Sequence, residues 1–520
     1  MYAISEQDNI QERDRMKTAY FRRYGCRWTE LCRLPYFDPT TMGVIDPMHT
    51  FMLGLTRTLW FSVWVKGGPG GDRVMLRGRT ETNERELDLI HALLRQFEMP
   101  RWFARLPADV GYPAGGNLTS NEWKALVLLY GPTAIPLVLA DAAAECSEGL
   151  APGQVPRVPH EAAANFLKMA TALKILMRRE VTEQDLVRAI LLFKEWFEEF
   201  VQIYGSKCVT PTFHWLTHMA AQIRRYGPIH GFWTYLYKHL NKVMKTYRTK
   251  NHGGGELEVT FSREWKHKMM IARLSAALVK QDEDPMGKEV ALEIQKQTRD
   301  QLRAGTLAEM VQQDGVGDES RAEQRRCVAD GRSQTSSLDG SQLPGLLHWY
   351  RQHRPAWDLR RPDEYNTPED SRFLDDHARF HQQFLLQGRR IDTCPQDKPN
   401  KSDSLVVMRM RPRLAWASEL RSVFAHKQCG ETRLFVEVTW LKPLEQELTI
   451  QGVYLPYPEL EVEFWQYEKY LAPDADGPPA ILLAQLLDGV AARCAVEVEG
   501  HLVWVTAGIS LHISYRMTRL

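Results

Sequence analysis

The chain is short of net charge. Its 66 lysines and arginines face 65 aspartates and glutamates, so bulk electrostatics offers no pull on a polyanion and any nucleic-acid contact has to come from a local patch. A basic-then-apolar N-terminal stretch of the secretory kind is missing. The longest apolar run, near residues 51–65, is interrupted by Arg57 and followed by Lys66 before it can span a bilayer, which predicts an intracellular protein with no membrane partner. Cysteine is scarce in any useful pattern. The eight residues at 26, 32, 146, 208, 327, 394, 429 and 494 are scattered, with only Cys26 and Cys32 close, which suits reduced thiols and assigns no structural metal. Nucleophile elbow, Rossmann fingerprint, kinase set and internal repeat are all lacking. "NHGGGE" at 251–256 has neither the lysine nor the Ser/Thr of a phosphate loop and reads as a helix stop.

What is present is ordinary for a globular protein of two to four domains: 520 residues, 44% hydrophobic and 25% charged. Residues 1–33 read as polar helix, and "KGGPGGD" after residue 65 breaks the chain. Helical spacing returns over 83–105, and "LTSNEWKALVLLYGPTAIPLVLA" opens a helical block that runs to about 250 and should pack as a bundle. Within it, Leu186, Ile190, Phe193, Trp196 and Phe197 fall on one face of an amphipathic helix. From 281 to about 342 the sequence turns polar, glycine- and serine-rich, too poor in apolar surface to offset its ordering entropy, and reads as a disordered linker. A short helical piece is expected at 370–388. Beyond a second polar stretch the period switches to two, in "LVVMRMRP", "TRLFVEVTWL", "LEVEFWQYEKY" and "RCAVEVEGHLVWVTAGISLHISY", which predicts a small antiparallel β-domain, barrel or sandwich. The expected divisions are 1–66, 67–280, 281–400 and 401–520.

Chemistry-bearing residues concentrate in "LPYFDPTTMGVIDPMHTFMLGL" at 34–55. "MGVI" reads as a strand end, and a buried helix or strand follows it. Asp46 and His49, at the mouth of that buried element, are either a site or a cap, and Asp38 before its proline reads as a turn former. "HWLTH" sets His214 and His218 one helical turn apart, within reach of a shared metal or of each other, with no evident third ligand. Thr119 and Glu122 match a capping box. Lys238, Lys242 and Lys245, followed by Arg248 and Lys250, form a stripe opposite Leu236, Leu240, Val243 and Tyr247. It is a solvated face or a phosphate-binding one, and "YFRRYGCR" is a smaller patch with the same two readings.

Several of these segments together resemble one family. "YGCRWTELCRLPYFDPTTMGVIDPMHTFMLGL", "LTSNEWKALVLLYGPTAIPLVL" and "FVQIYGSKCVTPTFHWLTHMAAQIRRYGPIHGFWTYLYKHLNKVMKTYRTKNH" are similar, in order and rough spacing, to motifs of CACTA-type (EnSpm) DNA transposases, the Plavaka-like group in particular, over most of residues 15–265. The resemblance implies an α+β multidomain protein: a remnant of an RNase H-like core carrying a large all-helical insertion, followed by the small C-terminal antiparallel β-domain. It further implies a site at which acids hold two Mg2+ or Mn2+ ions for DNA strand cleavage and transfer. Asp46 matches the motif's acid, with His49 beside it and Asp38 as a second acid nearby.

The departures are equally specific. The family's first aspartate lies on a strand upstream of this motif, and Glu6, Asp8, Glu12, Asp14 and Glu30 sit in polar helical sequence instead. Lys238 stands where the family has a glutamate, which puts a positive charge where a dication should bind. The expectation is therefore an N-terminally truncated, transposase-derived nuclear protein that is non-catalytic, with DNA as its partner and room for a homo-oligomer. Two alternatives stand beside it. One is an active two-metal transposase recruiting Glu122 or Glu256. The other is a chromatin or peptide reader using Trp440, Tyr454, Tyr457, Trp465, Tyr467 and Tyr470 of the β-domain.

Overall fold

A computed structural model gives the fold and describes residues 4, 8–25, 29–71, 73–80, 83–101, 103–111, 118–147, 155–178, 180–234, 256–280, 284–302, 327–361, 364, 371–386, 389–393, 404–411, 414–472 and 478–509. The molecule combines a helical half with a C-terminal antiparallel sheet. Helix α1 (Ile10–Tyr24) buries none of its residues and ends at Gly25, whose φ of 69° forms a left-handed cap. Helix α2 runs through Met48–Thr56 and Thr58–Val65 with wide i→i+5 turns, as in the bond from Lys66 N to Phe61 O at 3.0 Å. Helices α3 (Glu86–Gln96), α4 (continuous through Ser120–Ala125, Leu126–Tyr130 and Gly131–Ser147), α5 (Glu161–Leu176), α6 (Glu183–Tyr204) and α7 (Pro211–Tyr226) complete the bundle.

Helix α5 is its axis. Nearly every position from Ala162 to Leu176 is buried, as an all-round apolar helix requires. The stretch Ser120–Cys146 is long and apolar enough to cross a membrane, a more apolar segment than residues 51–65, but 83% of its most apolar window lies inside the protein as a core helix. In α6 the buried face is Leu186, Ala189, Leu192, Trp196 and Phe200; Ile190 and Phe197, expected on that face, are exposed at its fringe.

Two further helices, α8 (Glu256–Lys280) and α9 (Pro285–Leu302), form a hairpin. After them come β1 (Cys327–Ser337), α10 (Gln342–His353), β2 (Leu359–Arg360), β3 (Arg372–Phe373), β4 (His377–Leu386) and β5 (Arg389–Asp392). The linker expected over 281–342 is thus helix at 285–302 and strand at 327–337, and the helix expected at 370–388 is strand. The sheet begins well before residue 401. Its remaining strands are β6 (Leu405–Arg411), β7 (Leu414–Gln428), β8 (Glu431–Pro443), β9 (Val462–Tyr470), β10 (Ile481–Leu483), β11 (Leu487–Val498) and β12 (His501–Ile509).

Six of these strands close on themselves. The ring runs β6, β7, β8, β9, β12, β11 and back to β6, every pair antiparallel, which removes free edges from the barrel. Strand β7 continues past a register shift at Leu420–Ser422 to carry β4 and, beyond it, β1. Side-chain alternation sorts the barrel. Leu405, Ala417, Leu441, Trp465, Ala491 and Trp504 pack together inside it. Val490, Ala492, Cys494, Val503, Val505 and Ala507 face outward into one continuous core shared with α2, α4 and α5. The helical and β halves, expected as separate divisions, are therefore built around a common core.

The apolar run "MGVI" reads from its sequence as a strand end, which the structure does not form. Residues 43–46 are irregular backbone, and no β-strand occurs among the described residues before 327.

Candidate functional site

The acid–histidine motif sits where α2 meets α7. The two helices cross tightly because residue 54 is glycine: a Cβ there would lie 2.5 Å from Thr212 Cγ2. Further along α7, Gln222 clamps the segment leading into α2, donating from Nε2 to Gly43 O (3.0 Å) and accepting at Oε1 from Ile45 N (3.0 Å). That clamp delivers Asp46 to the first turn of α2, where its carbonyl accepts from Thr50 N at 3.0 Å.

The Asp46 carboxylate then meets five donors. Oδ1 accepts from Met48 N (3.3 Å) and Thr234 N (2.8 Å); Oδ2 accepts from His49 N (3.1 Å), from Thr234 Oγ1 (2.7 Å) and, in a very short contact, from His49 Nδ1. Burial pushes its pKa up, but the hydrogen bonds from Thr234 and His49 outweigh that and hold it below the ordinary aspartate value. Both oxygens of the carboxylate are thus engaged by protein donors. The structure thus brings Asp46 and His49 together, as the three-residue spacing anticipated, and adds Thr234, which no local pattern marks.

Asp38 is engaged separately: its Oδ2 accepts from Thr41 Oγ1 (2.7 Å) and its carbonyl from Thr41 N and Met42 N, capping the short helical turn Pro39–Met42. Glu122 closes the expected capping box, accepting from Thr119 N at 2.6 Å while Thr119 Oγ1 accepts from Glu122 N. Glu256 is the first residue of α8, and its side chain lies outside the described residues, as do Lys238, Lys242, Lys245, Arg248 and Lys250. The smaller basic patch ends α1 with Arg22 and Arg23 exposed. Among the described residues the only trio of acids, histidines or cysteines able to converge on a cation is Asp375, Asp376 and His377, exposed at the start of β4. Asp46 belongs to no such trio among the described residues.

The aromatic residues proposed to line one pocket divide between two places. Tyr454 donates to Pro132 O (2.9 Å) at the junction of the halves, and Trp440 and Tyr457 are buried in the same large core, while Trp465 and Tyr467 pack with Trp504 and Tyr470 inside the barrel. That interior already holds a cation. Arg493, 1% exposed, lies 3.9 Å over the Trp504 ring and pairs with buried Glu419 (3.0 Å) and with Glu98 from the helical half (2.5 Å). Tyr470 Oη donates to Glu419 at 2.8 Å, and Trp465 Nε1 to Thr506 Oγ1 at 2.8 Å. Sequence reasoning missed this network, since an arginine inside "AARCAVEV" carries no mark of its partners. In comparisons with known proteins the chain matches no family model, no curated protein and no solved structure.

Proposed function

We propose that the chain is a transposase-derived protein of the CACTA/EnSpm type, Plavaka-like, in which the acid–histidine motif has become a fold-holding joint, leaving a non-catalytic nuclear protein that binds DNA. The motif resemblance over residues 15–265 supports the ancestry, and with it the RNase H-like remnant bearing a helical insertion. One observation supports the loss of catalysis: the Asp46 carboxylate is tied by hydrogen bonds to Met48, His49 and Thr234 as a joint of the fold, and no second acid stands beside it among the described residues. The lysine at 238, in place of the family's glutamate, points the same way. DNA binding is assigned to the basic stripe Lys238, Lys242, Lys245, Arg248 and Lys250.

The test pairs two assays on the full chain. Calorimetric titration with Mn2+ is expected to give the same isotherm for wild type and Asp46→Ala, and neither protein should nick supercoiled DNA. Metal binding lost in the variant, together with nicking by the wild type, would establish the active two-metal alternative instead. For DNA, replacing Lys238, Lys242 and Lys245 by glutamine should weaken binding across unrelated sequences and reduce its salt dependence, because fewer phosphates are neutralised and fewer counterions leave the duplex. Unchanged affinity and salt slope would remove the DNA-binding assignment.

A further inference from the structure

Helix α7 carries a second feature that the acid–histidine motif does not use. His214 and His218 stand one turn apart on its exposed face, their Nε2 atoms sharing a hydrogen bond at 3.2 Å with the ring planes at 82°, so that a metal binding both would take the place of the shared proton. Two imidazoles on adjacent turns reach toward one point only when both side chains adopt converging rotamers. Here they do so with the same nitrogen presented by each.

The separation is informative. A late divalent metal binds imidazole nitrogen at about 2.0–2.1 Å, so two nitrogens on one ion lie about 3.3 Å apart at a tetrahedral angle and about 2.9 Å apart at a right angle. The observed 3.2 Å falls between these limits. We infer that His214 and His218 form a two-histidine chelate for a borderline divalent transition metal such as Ni2+ or Zn2+, with solvent completing its coordination. The site differs in kind from the oxygen-ligand Mg2+ or Mn2+ site of the family. Imidazole pairs select the later transition metals, and hard cations prefer carboxylate and water.

Its position gives it a consequence for the fold. Residue 218 lies one turn before Gln222, whose side chain holds Gly43 and Ile45 and so delivers Asp46 to α2. A metal held across 214–218 clamps that turn of α7 in the folded state alone, so it stabilises the folded chain in proportion to its occupancy. The inference does not depend on the chain's ancestry or on DNA binding.

The experiment follows thermal unfolding of the full chain in increasing Ni2+, repeated with Zn2+ and with Mg2+, for wild type, His214→Gln, His218→Gln, His218→Cys and, as a control for the exposed trio, Asp376→Asn. Wild type and Asp376→Asn should melt at progressively higher temperature as Ni2+ or Zn2+ rises, with no such response to Mg2+. Each glutamine variant should require at least about tenfold more Ni2+ for the same shift, since even an outer-sphere partner costs that much affinity when removed. His218→Cys keeps a ligand atom and should recover part of the response, particularly to Zn2+. Both histidines are exposed, so metal-free melting should be unchanged in all variants. Equal Ni2+ dependence in wild type and the two glutamine variants overturns the assignment, as does a response lost in Asp376→Asn alone.

Discussion

Glu98 and Arg493, 395 positions apart, are joined twice over. Their backbones exchange hydrogen bonds (Glu98 N to Arg493 O at 2.7 Å, Arg493 N to Glu98 O at 2.9 Å), and the Glu98 carboxylate closes on the Arg493 guanidinium. The segment leaving α3 thereby adds a rung to β11 and plugs a charge into the barrel. Burial acts to lower the arginine's pKa, and the attraction of Glu98 and Glu419 overcomes it, so the guanidinium stays charged inside the sheet.

The two carboxylates should not be equivalent. Glu419 is buried, and Glu419→Ala leaves Arg493 without its enclosed counter-charge, costing about 3–5 kcal/mol in urea denaturation. Glu98 is 40% exposed, so Glu98→Ala lets water reach the guanidinium and should cost less, about 1–2 kcal/mol. Finding the larger loss at Glu98 would mean that the side-chain pair joining the two halves, not the barrel's inner charge pair, is the tighter constraint.

Acid should loosen the joints of the helical half. Asp46 titrates below its usual value, and so does Glu86, where burial is outweighed by Arg77 and Arg157 (2.9 and 2.6 Å). A carboxyl whose folded pKa is depressed contributes stability above its unfolded pKa and loses it as pH falls through the folded one. The melting temperature should therefore hold down to about pH 5 and fall steadily below about pH 4. Asp46→Asn places an amide against Thr234 and His49 donors, should cost about 1–3 kcal/mol at pH 7, and should flatten that acid slope. An acid slope identical to wild type would show that Asp46 is not among the groups responsible.

The crossing of α2 and α7 offers a paired test. Gly54→Ala drives a methyl into Thr212 Cγ2 and should destabilise by about 1–3 kcal/mol. Thr212→Ser removes the opposing methyl, so the double variant should regain most of that loss. Strict additivity in a double-mutant cycle would show that the two residues do not meet.

Lys174 is the polar anchor of the other junction. Its Nζ donates to Leu460 O (2.8 Å), Gly508 O (3.2 Å) and Glu461 (3.3 Å), and burial lowers its pKa despite the Glu461 charge. Lys174→Met fills similar volume but strands three acceptors, and should cost about 1–3 kcal/mol with faster amide exchange at β12. A variant as stable as wild type would imply that water takes over the vacated bonds.

Much of this architecture is legible where periodicity is local. The existence of α6, though not its full buried face, the Thr119–Glu122 cap and the alternating strands after residue 404 follow from spacing alone. Strand β4 reads as helix because Phe380 and Phe384 are four apart, which fits a helical stripe and also every second place on a strand. Strand β1 gives no signal because "CVADGRSQTSS" has almost no apolar alternation; it is held by ladder bonds to β4. The site is half legible. Asp46 and His49 announce each other, whereas Thr234 lies 188 residues on and Arg493 meets its partners across the whole chain.

The shared core also sets an order of events during synthesis. Gly508 emerges from the ribosome 334 residues after the lysine that binds its carbonyl, and the outward face of β12 is what covers the helices carrying that lysine. Until β12 is made, the bundle holds an apolar wall and a buried-type ammonium open to water. A message cut short before β12 would therefore yield a chain marked for chaperones and proteases, and the codons for that strand are as necessary to the helical half as to the barrel.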